Sequence, residues 1–150
     1  MKAHNFSLPD QDGIIHKLSD YKGKWVILYF YPKDDTPGCT KEACSFRDSV
    51  EGFKKQNAIV FGVSKDTTAS HKKFSNKFSL SFPLLSDPSL ETIKAYGAWG
   101  KKRFMGREYD GILRNTYLIN PHGEIAKTYE KVDPLAHPQE ILKDLQNISE

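Results

Sequence analysis

Hydrophobic positions along the chain fall into two unbroken runs and several periodic stretches. Residues 24–31 (KWVILYFY) and 58–64 (AIVFGVS) are short, apolar and rich in β-branched and aromatic side chains, which predicts strands buried on both faces. Pro32 ends the first run, because proline cannot donate to a sheet ladder. Beyond it Cys39, Ala43, Phe46, Val50 and Phe53 recur every three or four residues, one stripe of a helix reaching about Lys55. Thr36 reads as the N-cap of that helix and Pro37 as its first residue, where the missing N–H costs nothing. Residues 6–17 read as two short strands around an Asp10–Gly13 turn. A second helix is expected over 67–78 with Phe74 and Phe78 inward, then a short strand at 82–85 and a short helix at 89–96 closed by Gly97. Residues 97–111 show no sustained period and contain four glycines, so a long loop is expected. Residues 113–120 and 124–132 read as strands, and a last helix starts near Pro138 with Ile141 and Leu145 inward and Ile148 close to that face. Strands interleaved with helices make the class α/β.

Composition narrows the picture. The 150 residues, 38% apolar and 27% charged, suit one domain (residues 1–150) with a substantial core. A net charge of +3 gives no reason to expect nucleic acid or an anionic membrane surface as partner. The longest apolar run is far too short to cross a bilayer, and the stretch MKAHNFSLPDQDG lacks the apolar core of a signal peptide. A cytoplasmic location is therefore expected, where two cysteines are more often redox-active than structural. The five histidines (His4, His16, His71, His122 and His137) make no metal-ligand spacing with the cysteines, and no C-x-x-C pair is present.

Both cysteines lie in 31–44 (YPKDDTPGCTKEAC). With Thr36 as cap, Cys39 stands third in the helix, where backbone N–H groups have no intrahelical partner and the dipole favours negative charge. A thiolate is easier to form there than on a free cysteine, although Asp34 and Asp35 oppose it as like charges. Cys44 is five residues on, roughly 140° around the axis, which puts the two Cα atoms about 8.7 Å apart in an intact helix. A disulfide needs roughly 7 Å or less. If the two pair, the first turns must unwind, and oxidation and helix melting become one event.

The stretch 31–44 resembles the active-site motif of the peroxiredoxins, proline-x-x-x-threonine-x-x-cysteine, present as Pro32, Thr36 and Cys39, and the Cys44 spacing is similar to that of the Q-type, or bacterioferritin comigratory protein, subfamily. FSLPDQDG near the start and RNTYLINPHGEI near the end extend the similarity along nearly the whole chain. The resemblance implies a thioredoxin-like fold with a central mixed β-sheet flanked by helices. It implies a thiol peroxidase in antioxidant defence, with Cys39 attacking hydrogen peroxide or an organic hydroperoxide and Cys44 resolving the sulfenic acid as an intramolecular disulfide. Thr36 would hydrogen-bond the thiolate and peroxide, Pro32 would shield the pocket, and Arg114, in the pattern Arg114-x-Thr116-Tyr117-x-Ile119, would bring the guanidinium that favours the thiolate and the departing oxygen.

Partners so implied are a hydroperoxide and a thioredoxin or glutaredoxin-like reductant, with the chain a monomer. No metal, haem or flavin is expected, since sulfur carries the redox change. Glu42 is expected on the exposed side of the turn as a solvated helix residue; the alternative, since relatives usually carry glutamate there, is that it helps position the site. Trp99, Phe104, Met105 and Tyr109 are either core filler or an apolar lip beside Cys39, and Lys101, Lys102 and Arg103 a solvated charge run. A redox sensor and a non-catalytic thioredoxin-fold interaction domain are the competing functions for the same residues.

Overall fold

A computed structural model describes residues 1–130, 132–134 and 136–148. The central sheet has five strands in the order β5(Leu84–Ser86), β4(Ala58–Ser64), β3(Trp25–Phe30), β8(Thr116–Ile119) and β9(Ile125–Tyr129). β3, β4 and β5 run parallel, while β8 and β9 are antiparallel additions, so the sheet is mixed. The two apolar runs supply its middle, as strands covered on both faces must.

Alternation along β3 divides the core. Ile27, Tyr29 and the following Tyr31 share one cluster with Phe46 and Phe53 of α1(Pro37–Lys55), Phe74 of α2(Thr68–Phe78), and Ile141 and Leu145 of α4(His137–Ile148). Val26, Leu28 and Phe30 face the other cluster, with Phe6 beside the hairpin β1(Ser7–Pro9)–β2(Ile15–Lys17) and Ile93 of α3(Glu91–Ala95). Ile148 is 48% exposed and lies off the inner face of α4. Among the described residues no helix is long and apolar enough to cross a membrane.

One element departs from expectation. Residues 97–111 are not a loop but mostly an antiparallel hairpin, β6(Trp99–Phe104) and β7(Arg107–Ile112). Its two-residue turn places Met105 at φ 52° and Gly106 at φ 79°, the positive pair that matches strand twist in the favoured hairpin turn. Charged residues on both faces of these strands erase the apolar alternation that would have marked them.

Candidate active site

The site forms where β3 ends. Phe30 donates its N–H to the Asn115 carbonyl at 2.9 Å, which brings the residue before it, Arg114, to the start of α1. Cys39 is 1% exposed on the inner stripe of α1, and Arg114 Nη2 donates to its Sγ at 3.1 Å. The sulfur is thus not walled by hydrocarbon alone, since the Arg114 side chain keeps 24% exposure. Gly38 makes the approach possible: a Cβ there would lie 2.8 Å from Nη2.

The same guanidinium reaches Glu42, Nη1 donating to Oε1 at 3.2 Å. The expectation of a solvated Glu42 is therefore wrong: the residue has no exposure. Spacing carried the signal, because Glu42 stands three residues after Cys39 and four before Phe46, on the inner face. Burial pushes its carboxyl up to about 7 despite the counteracting charge and hydrogen bond of Arg114. Among the described residues its Oε2 and the nearby buried Tyr29 hydroxyl have no hydrogen-bond partner. Burial, then the charge of Glu42, pushes the Tyr29 hydroxyl well above the ordinary tyrosine range.

Thr36 occupies the N-cap position with extended backbone (φ −96°, ψ 154°), yet its side chain does not cap. Its hydroxyl donates instead to the Lys33 carbonyl at 2.9 Å, closing the turn before the helix. The first-turn N–H groups are left without that side-chain acceptor. Pro32 is half-buried where the chain leaves β3, and Cys44 is half-buried on α1 with both cysteines free. Cys39, Arg114 and Glu42 therefore meet directly, while Cys44 stands apart on another side of an intact helix.

Asp34 is not the free like charge expected beside the cysteine. His71 Nδ1 lies 2.7 Å from its Oδ2, Ser70 Oγ donates to Oδ2 at 2.8 Å, and the Tyr31 hydroxyl donates to Oδ1 at 2.6 Å. His71 Nε2 faces the Leu85 carbonyl at 3.0 Å, so both ring nitrogens lie against oxygen partners. No local pattern could reveal a pair 37 residues apart. Ligand atoms of Asp34, Asp66 and His71 lie within 4.8 Å of one another. Asp66 Oδ2, however, already accepts from the Asp34 N–H and the Ser64 hydroxyl, so N–H and O–H donors occupy the positions a cation would need. Asp35, by contrast, pairs at the surface with Lys77.

One cation of the hairpin, Lys102, departs from the expected solvated run. Lys102 is half-buried, with Nζ donating to the Ile112 carbonyl at 2.9 Å, and burial followed by the neighbouring Arg114 charge lowers its ammonium pKa. Lys101 and Arg103 are exposed and pair with Asp110 and Glu108, as a solvated run would. Phe104, Met105 and Tyr109 are 67%, 89% and 46% exposed, whereas Trp99 packs on the core.

An α/β fold with a mixed sheet and a cysteine–arginine contact at a helix start defines a class, and comparison with known proteins agrees with it. Residues 1–128 match the AhpC/TSA family. The chain is 46% identical over 149 residues to peroxiredoxin Bcp of Bacillus subtilis, covering 99% of this chain and 95% of that one. It is 42% identical over 144 residues to peroxiredoxin Bcp of Escherichia coli, covering 96% and 92%. The solved peroxiredoxin Q of Xanthomonas campestris superposes with a TM-score of 0.91 at 34% identity over 97% of this chain and 92% of that one. A cysteine-to-serine mutant of PrxQ from Xylella fastidiosa gives 0.93 at 36% identity over 99% and 92%. The chain belongs to the AhpC/TSA family and is a peroxiredoxin, a thiol peroxidase on a thioredoxin-type fold.

Proposed function

We propose that Cys39 is the peroxidatic cysteine and Cys44 the resolving one. The Cys39 thiolate attacks the terminal oxygen of a hydroperoxide, an S–O bond forms and the O–O bond breaks. The departing alkoxide or hydroxide takes a proton and leaves as alcohol or water. Cys44 then attacks the sulfenic sulfur, an S–S bond forms, and the second hydroxide leaves as water. A thioredoxin or glutaredoxin-like dithiol restores both thiols. The contact that carries this assignment is Arg114 Nη2 at 3.1 Å from Cys39 Sγ, a charge-assisted donor already in place where negative charge sits and then moves.

Thr36 and Pro32 complete the assignment, the hydroxyl turning toward the incoming peroxide and the proline excluding water. Organic hydroperoxides are included as substrates, because the related X. campestris bacterioferritin comigratory protein is described by its alkyl peroxide reduction activity. The chain acts as a cytoplasmic monomer of one domain in antioxidant defence. Disulfide formation melts the start of α1, since an intact helix holds the two Cα atoms about 8.7 Å apart.

The test couples peroxide addition to NADPH oxidation through thioredoxin and its reductase. Cys39→Ser is expected to abolish turnover, and Cys44→Ser to abolish only its thioredoxin-dependent part. Full activity in Cys39→Ser would overturn the assignment. Light scattering checks the monomer.

A further inference from the structure

Glu42 lies between the two cysteines, on the segment whose melting the proposed disulfide requires. Its side chain has no exposure, its one hydrogen-bonded oxygen is held by Arg114, and its other oxygen is buried without a partner. A carboxyl so placed is stable in the closed helix chiefly as the neutral acid. In the melted segment water solvates the carboxylate, and nothing opposes its ionisation.

We infer that Glu42 is a positioning residue that times the resolving step: as the neutral acid it holds the first turns of α1 closed over Cys39, and its ionisation releases them toward Cys44. This rests on the assignment of Cys39 and Cys44 above.

The sign follows from linkage. The closed carboxyl titrates at about 7 and the melted one near its ordinary 4.5. Between those values the closed form holds a proton that the open form gives up. Opening therefore becomes roughly tenfold easier per pH unit and levels off near pH 7. The proton balance of the S–S step closes without Glu42: Cys44 gives up its thiol proton as the S–S bond forms, the departing hydroxide takes one up and leaves as water, and the proton that Glu42 releases on opening goes to solvent.

The charged and titratable groups facing Glu42 do not reproduce this profile. Arg114 from the approach to β8 stays cationic, and the Tyr29 hydroxyl from β3 is held protonated by burial. Lys102 from β6 is felt at Arg114 and Cys39 rather than at Glu42. Cys39 and Cys44 share α1 with Glu42, and both are present unchanged in wild type and Glu42→Gln, so a difference between the two profiles belongs to Glu42.

The experiment is stopped-flow resolution of the sulfenic acid from pH 5 to 8 in wild type and Glu42→Gln, which keeps an oxygen acceptor for Arg114 but cannot ionise. Trapping the sulfenic acid on Cys39 with dimedone in Cys44→Ser, where it cannot be resolved, comes first; failure to trap it there would overturn the Cys39 assignment and this inference with it. With the sulfenic acid so identified, wild type and Glu42→Gln should resolve at similar rates at pH 5. At pH 7.5 the wild type should be at least tenfold faster. Parallel profiles would overturn the role of Glu42 and leave the peroxidase assignment intact. A second measurement needs no variant and no peroxide. Amide exchange over residues 40–45 of the reduced wild type should accelerate about tenfold per pH unit beyond ordinary base catalysis between pH 5 and 7, and protection that stays constant overturns the inference.

Discussion

Asp34 and Glu42 are both buried acidic side chains, five residues before and three after the same cysteine, and they are held in opposite ways. Both Asp34 oxygens meet donors from Tyr31, Ser70 and His71, on two separate elements. Glu42 has one donor, Arg114, and one empty oxygen. A fully satisfied network fixes its surroundings, whereas a half-satisfied one leaves a group that can change state at moderate cost. The first therefore anchors the 31–36 loop to α2, and the second sits where charge must appear and disappear.

Removing the shared donor should break the contrast most sharply. Arg114→Met strips the cation from Cys39 and is expected to lower kcat/KM for hydroperoxide roughly 100- to 1000-fold, read by stopped-flow fluorescence. Asp34→Ala leaves the Tyr31 hydroxyl and His71 Nδ1 without their buried oxygen partner and should cost about 3 kcal/mol of unfolding free energy in urea. Its kcat/KM in the folded fraction should change less than tenfold; a loss as deep as that of Arg114→Met would erase the distinction between anchor and reactive site.

A finer test uses pH. Burial raises Glu42 from 4.5 to about 7, so its contribution to stability is lost as pH rises through that range. Burial lowers His137 from 6.5 to about 4, so its contribution is lost as pH falls from 6.5. The two slopes, each about 1.4 kcal/mol per pH unit, oppose one another between roughly pH 4.5 and 6.5. Relative to wild type, the urea stability of Glu42→Gln should rise with pH across that window, and that of His137→Asn should fall. The smallest effect belongs to the hairpin tip. Phe104→Ser should leave kcat/KM for cumene hydroperoxide within twofold and stability within about 0.5 kcal/mol, because the ring is exposed.

The helix of the cysteines was legible from the chain because its signals are local. Pro37 at the first position, the stripe from Cys39 to Phe53 and the predicted end at Lys55 all coincide with α1. The two apolar runs were legible for the same reason, being strands covered on both faces. Glu42 was misread because a charged residue type outweighed a spacing that already placed it inward. The β6–β7 hairpin was missed because its strands carry charge on both faces and its turn uses Met105 at positive φ, an uncommon choice. The Asp34–His71 pair and the side-chain bond of Thr36 depend on how distant or flexible groups settle after folding, and nothing periodic records them.

The meeting of Cys39 with Arg114 spans 75 positions and waits on β8 docking beside β3. A chain emerging from the ribosome presents Cys39 well before Arg114 has been synthesised. Until the late strand docks, the Cys39 sulfur has no guanidinium donor, and the contact on which its assignment rests forms only then.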